Sequence, residues 1–410
     1  MGAINVTYST GGNTIYGGRS APVVVNELQF DSVAIFSESG TSLPAKVRNQ
    51  IPVIELHASG GRNFTSNRQY RAAVSGRMAY EEHVEFSWRT SGTTSGSLNG
   101  NRAVTMIRPN SYYGKYPNGA DRQGWSGFEF REKPGVFQMI TANRLDGMRY
   151  WMEIELAAEA NPESVDMRYL CLTGASMGAW GTMHYGLRRP RRFAALYGNA
   201  PRWRWDDVVG GVDYSKYDVG GINGTVSNSP VIDPLDGGGT VAELHNSIDY
   251  VSNPKNFVPF VGWGIGSNDG YMPFQDHIDA VAALRTAGRP FAMAWNRGNH
   301  SSGMILSRVL ASYPFGTFEI GKGCPLFTEH SLDIDPTIDA AVLEGGVNLN
   351  LTFDSVAETP TSWTCRVTSI AGPCTVKVKP CNSDVFTADV SAKLVTIPAA
   401  KAWVVVSFTA

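Results

Sequence analysis

The sequence predicts an α/β protein: a mostly parallel central sheet flanked by helices, followed by an all-β region of sandwich type. Three observations carry this. Between residues 51 and 312, short apolar runs of strand length alternate with stretches of helical periodicity, the order that builds parallel sheets. After about residue 325 the pattern changes to period two, with Val347, Leu349, Leu351 and Phe353 alternating with Asn348, Asn350 and Thr352. Finally, one apolar run, Tyr169-Leu170-Cys171-Leu172-Thr173, leads straight into Gly174-Ala175-Ser176-Met177-Gly178 and then into a helical stretch over 179–187.

Taken in order, residues 1–50 read as an N-terminal β segment leading into the sheet, with strand-like runs at 22–25 and 32–36. Strands of the sheet are predicted at 51–57, 103–107, 169–173, 193–197, 257–265 and 290–295. Helices are predicted over about 66–80, 142–160, 179–187, 275–287 and 302–312. In the second of these, Leu145, Met148, Met152 and Leu156 share a face; in the fourth, Ile278, Val281 and Leu284 point inward and Gly288 is the stop. Thr90 to Asn101 is a polar surface loop. Residues 203–239 are rich in Gly and Asp, break the rhythm, and read as an insertion over one face of the sheet. The expected division is therefore 1–50, an α/β domain over 51–325, and a β domain over 326–410.

The chain has 410 residues, 42% of them apolar, which suits two or three domains and a large core. A net charge of −2 offers no electrostatic reason to expect nucleic acid or an anionic membrane as partner. No stretch approaches the roughly 18 consecutive apolar residues that would span a bilayer. Of the five cysteines, Cys171 reads as a buried apolar filler, and Cys324, Cys365, Cys374 and Cys381 match no zinc spacing. Cys365 and Cys374 flank Ile370-Ala371-Gly372-Pro373 and are expected to face each other across a hairpin, as a disulfide or as thiols. No signal peptide is visible. The charged fraction of 18% and the wealth of Ser, Thr, Asn and Gly lean toward a secreted or extracytoplasmic protein.

Strand, G-x-S-x-G, helix is the setting of a nucleophile elbow, in which Ser176 sits on a strained turn with its hydroxyl in the open. A serine hydroxyl is a poor nucleophile unless a base takes its proton and a third group orients that base. After such an elbow the expected chain order is serine, acid, histidine. Asp269, in Gly266-Ser267-Asn268-Asp269-Gly270, follows the strand at 257–265; Asp276 and Asp279 are the alternatives. His300, in Gly298-Asn299-His300-Ser301, follows the strand at 290–295. Loops at the C-terminal ends of parallel strands are where such sheets gather their sites. Two N–H donors are needed for a developing oxyanion. Met177 is the candidate for one, and Ser59, in the loop His57-Ala58-Ser59-Gly60-Gly61, for the other. Trp203 and Trp205 open the insertion and are candidates to contact substrate, the competing role being to pack the insertion onto the body.

With these residues in hand, the region from Ile51 to Ser312 resembles the α/β-hydrolase superfamily. Residues Val165 to Gly178 and Arg191-Arg192-Phe193-Ala194-Ala195-Leu196 resemble secreted esterases of the feruloyl-esterase and polyhydroxyalkanoate-depolymerase kind, and are also similar to prolyl-oligopeptidase-like hydrolases. Such esterases carry His-Gly after the third strand, where this sequence has His57-Ala58. The resemblance implies an α/β-hydrolase fold and a triad of Ser176, Asp269 and His300, with no metal and no organic cofactor. It also implies a small-molecule or polymeric ester as substrate, and leaves the oligomeric state open. The expected activity is ester hydrolysis through an acyl-enzyme. The alternatives are a serine peptidase of the prolyl-oligopeptidase type and a non-catalytic binding protein on a hydrolase fold. No charged cluster that would anchor a peptide terminus is visible.

Overall fold

The computed structural model describes in full residues 51–56, 58, 145–146, 149–150, 152–153, 165–204, 246–322, 324, 326, 333–334 and 344–349, and elsewhere the backbone of a set of paired strands. Its centre is a parallel sheet of six strands: β1 (Ile51–Leu56), β2 (Val104–Arg108), β3 (Cys171–Ala175), β4 (Ala195–Asn199), β5 (Phe260–Gly266) and β6 (Phe291–Asn296). They lie in the order β2-β1-β3-β4-β5-β6, every neighbouring pair parallel. Beyond β2 the sheet continues through His83–Arg89 and Val33–Phe36 to the hairpin of Asn13–Gly17 and Thr7–Thr10. Beyond β6 it is closed by β7 (Glu344–Val347), which runs antiparallel. This is an α/β-hydrolase fold.

Parallel sheets are covered on both faces, and their strands read as continuous apolar runs rather than as alternations. β5 shows why the sequence looks as it does: all seven of its residues are buried. Among the described residues four helices do the covering: α1 (Met177–Arg188), α2 (Ser247–Ser252), α3 (Phe274–Thr286) and α4 (Leu306–Ser312). α1 packs on β3 and β4, and α4 on β5 and β6. Every residue of α1 from Met177 to Leu187 is buried, so this helix lies inside the molecule rather than on it. Just past its end, the buried Arg189 and the nearby Arg192 both pair with Asp146, which also accepts from the Tyr185 hydroxyl (3.0 Å). Burial, with the Asp146 charge adding to it, pushes the Tyr185 phenol well above its ordinary range.

The structure departs from the sequence-based expectations at definite points. β3 begins at Cys171 because Met167–Tyr169 is a 3₁₀ turn, held by the Asp166 side chain accepting from the Arg168 N–H (3.2 Å). The inward face of α3 is His277, Ala280, Val281 and Leu284, while Ile278 is only half-buried. Gly288 does end that helix, in the left-handed region at φ 62°. α4 starts at Leu306 rather than near 302, because the residues after His300 make turns of their own. The boundary expected at 325/326 is corrected by β7. Val347 and Leu349 are buried in the core of the main sheet, not in a separate β domain. Glycine is required at 345 for this pairing, because a Cβ there would meet the Trp295 ring at 2.5 Å.

The C-terminal strands form two three-stranded sheets. Trp363–Ile370 pairs with Cys324–Thr328 and Leu394–Ile397, and Thr375–Pro380 pairs with Ala388–Val390 and Ala402–Ser407. The strands before and after Gly372-Pro373 thus lie in different sheets; Cys374, which the expected hairpin would bring opposite Cys365, lies outside the described residues. The helix expected over 66–80, the loop at 90–101, Met148 and Leu156 lie outside the described residues, as does most of the insertion at 203–239. Among the described residues no helix is long and apolar enough to cross a membrane.

Candidate active site

Strand register fixes where the three candidate residues emerge. Ala175 at the end of β3 pairs with Asn199 of β4, and Asn199 pairs with Gly264 of β5. Gly266, two residues on, pairs with Asn296 at the end of β6. Ser176, Asp269 and His300 follow these ends by one, three and four residues, so all three leave the same edge of the sheet.

The turn at Ser176 is strained as the motif requires. Its backbone has φ 54° and ψ −119°, a region that a residue with a side chain rarely adopts and that costs about 1–3 kcal/mol. The turn is held from both sides: the Ser176 N–H donates to the Asn199 carbonyl (2.8 Å), and the Ser176 carbonyl accepts from the Trp180 N–H (2.9 Å). It is also tight. A Cβ on Gly174 would overlap the Gly178 carbonyl and stand 2.9 Å from the Ala179 nitrogen, so the first glycine of the motif is required by the returning helix.

Asp269 and His300 are brought together by two loops laced to each other. Ser267 N–H donates to the Asn296 carbonyl (2.6 Å), Asn268 N–H to the Gly298 carbonyl (3.1 Å), and the Asn268 amide to the Arg297 carbonyl (2.8 Å). Gly266, Gly298 and Gly303 make this approach possible. A Cβ on Gly298 would meet the Gly303 nitrogen at 2.6 Å, and one on Gly303 would overlap the Gly266 backbone. The His300 turn is built by Asn299, whose Oδ1 accepts from Ser301 N (3.0 Å), Ser302 N (3.1 Å) and Ser302 Oγ (3.1 Å). Asn296 ties the same turn at a second level, accepting from Gly298 N (2.8 Å) and donating to the Ser302 carbonyl (3.0 Å).

The result is a continuous chain of hydrogen bonds. Asp269 Oδ1 accepts from the Tyr271 and Met272 N–H groups (2.9 and 3.1 Å), which fixes the carboxylate plane. Asp269 Oδ2 accepts from His300 Nδ1 (2.7 Å). With its proton on Nδ1, the neutral imidazole presents the Nε2 lone pair to the Ser176 hydroxyl, which donates to it at 2.8 Å. Ser176 and the Asp269 side chain are buried, while the His300 side chain keeps 20% exposure, so solvent reaches the base. Asp276 and Asp279 are engaged elsewhere: both lie near Arg204 (3.6 and 2.9 Å).

Met177 is the first residue of α1, so its N–H has no intrahelical acceptor and sits at the positive end of the helix dipole, directly behind Ser176. Ser59 and Trp205 lie outside the described residues. Trp203 requires a correction. It is fully buried and stacks edge-on against Trp263 of β5, with ring centroids 5.1 Å apart. Its carbonyl accepts from Ser247 N–H at the start of α2 (2.9 Å). With no accessible surface, it is a core residue and has nothing to offer a substrate. What sequence reasoning missed is the supporting set: Asn296 and Asn299, legible in hindsight as Asn ahead of Gly and Ser turns, and the main-chain N–H groups of Tyr271 and Met272 that hold Asp269.

No family model and no curated protein matches the chain. Among solved structures it is similar to FphF, a fluorophosphonate-binding serine hydrolase of Staphylococcus aureus (TM-score 0.40, 14% identity, over 73% of this chain and 96% of that one). It is similar as well to an S-formylglutathione hydrolase from Agrobacterium tumefaciens (TM-score 0.39, 11% identity, over 76% and 96%). An acylaminoacyl peptidase of Pyrococcus horikoshii matches at TM-score 0.36 and 12% identity, over 73% of this chain and 37% of that one.

Proposed function

We propose that the protein is a serine hydrolase of carboxylic esters that works through an acyl-enzyme. The observation that carries this is His300 bridging Ser176 Oγ (2.8 Å) and Asp269 Oδ2 (2.7 Å) at a strained strand-to-helix turn. His300 Nε2 takes the hydroxyl proton as Ser176 Oγ attacks the ester carbonyl, and Asp269 stabilises the imidazolium that forms. The carbonyl oxygen becomes an oxyanion close to the Met177 N–H, with a second donor expected from the loop after β1. Nε2 then returns the proton to the departing alcohol. In the second half water attacks the acyl carbon as His300 Nε2 takes its proton; the bond from that carbon to Ser176 Oγ then breaks, Nε2 returns the proton to Oγ, and the free acid leaves.

Short-chain nitrophenyl esters and aminoacyl anilides, compared on the same preparation, separate an esterase from a peptidase. Esters should turn over and anilides should not. Ser176→Ala should keep the fold and lower kcat on the order of 10⁶-fold, the loss typical when such a nucleophile is removed. A pure, folded variant with near-wild-type turnover would refute the assignment. Polymeric or polysaccharide-linked esters are the natural substrate class favoured by the sequence resemblance; polymer suspensions assayed beside soluble esters test it.

A further inference from the structure

Tyr271 follows Asp269 by two residues, and its N–H is one of the two that hold the carboxylate (2.9 Å). The main chain that orients the acid therefore also sets where this side chain begins. Its ring meets the His300 imidazole edge to face, with centroids 5.1 Å apart and planes at 63°. Even so, Tyr271 is 54% exposed. A single exposed aromatic is ordinary on a protein surface. This one is packed on the base of the hydrogen-bonded chain and keeps much of its surface open to whatever approaches that base.

The chemistry of the base says which part of a substrate that is. In acylation a bond forms from Ser176 Oγ to the carbonyl carbon while the proton moves to His300 Nε2. The bond from that carbon to the alcohol oxygen then breaks as Nε2 hands the same proton to the alcohol. The alcohol oxygen must therefore sit beside the imidazole, while the acyl chain leaves the tetrahedral carbon in another direction. We propose that Tyr271 is the wall of the leaving-group site and selects esters of phenolic alcohols, whose rings pack on its exposed face. This rests on the ester-hydrolase reading above.

Phenyl acetate and ethyl acetate carry the same acyl group and differ only in the alcohol, and ethyl benzoate moves the ring to the acyl side. Tyr271→Ala should lower kcat/KM for phenyl acetate about threefold to tenfold, the range of one aromatic pair. Ethyl acetate and ethyl benzoate should change little, and Tyr271→Phe, which keeps the ring, should keep the wild-type preference for phenyl acetate over ethyl acetate. Hydrolysis of the acetyl-enzyme, which no longer carries the alcohol, should keep its rate in all variants. Equal losses on all three esters, or slowed acetyl-enzyme hydrolysis, would mean that Tyr271 only steadies His300, and would overturn the proposal. So would unchanged selectivity in an active Tyr271→Ala enzyme. A wild-type protein inert toward every ester would overturn the hydrolase reading itself, and this proposal with it.

Discussion

Replacing His277 by leucine should make the fold less sensitive to acid. His277 lies on α3, is fully buried, and neither ring nitrogen has a hydrogen-bond partner among the described residues. Burial penalises the imidazolium and pulls its pKa down from 6.5 to about 3, a fall that the Asp269 charge opposes only in part. The unfolded chain binds a proton at this residue below pH 6.5, whereas the folded chain does not until about pH 3. Between those values the unfolded state binds more protons, so stability rises with pH, and it is lost as pH falls from 6.5 toward 3. The slope approaches about 1.4 kcal/mol per pH unit, and the loss between pH 8 and pH 5 is about 2 kcal/mol. That is a large share of a typical net stability of about 5–15 kcal/mol. Urea unfolding of wild type and His277→Leu at pH 8 and pH 5 reads it as a double difference, from which the other titrating groups cancel. The wild type should lose about 2 kcal/mol more than the variant. Parallel losses in the two proteins would show that His277 is protonated or solvated in the fold, and the burial argument would fail.

Other outcomes follow from the same structure. Gly303→Ala should leave the sheet intact but push the β5 and β6 loops apart, because its Cβ would overlap Gly266. Displacing a catalytic group by about 1 Å can cost on the order of 100-fold, so kcat/KM should fall by that much while the far-ultraviolet circular dichroism stays unchanged. Cys171 is fully buried and its thiol is pushed up to about 12 by burial, so iodoacetamide at pH 8 should spare it in the folded protein and label it in urea; peptide mass mapping reads both states. A chain ending at residue 329 loses β7, leaves β6 as an open edge, and removes Val347 and Leu349 from the core. Each buried side chain is worth about 1.5–3 kcal/mol, so this truncation should be insoluble or clearly lower in melting temperature, even though Ser176, Asp269 and His300 all precede it. A truncated protein as stable as the full chain would refute the role given to β7.

Sequence by itself determined what is local. A strand, a serine between glycines and a helix state the Ser176 turn, because the strain and the close approach of Gly174 to Gly178 arise within five residues. The two loops that carry Asp269 and His300 could be named because each directly follows an apolar strand, and a parallel sheet sends all such loops to one edge. Only the tertiary structure decided between Asp269 and its neighbours Asp276 and Asp279. That choice depends on which carboxylate the Gly266, Gly298 and Gly303 contact brings to the imidazole, and which ones Arg204 occupies. Trp203 shows the same limit: an aromatic residue after a strand has one composition whether it lines a cleft or meets Trp263, and packing alone tells them apart. The alternation around Val347 was legible as a strand, but not as a strand of the main sheet. Its partner, β6, lies some fifty residues earlier, and the pairing is set by the open edge that β6 would otherwise leave.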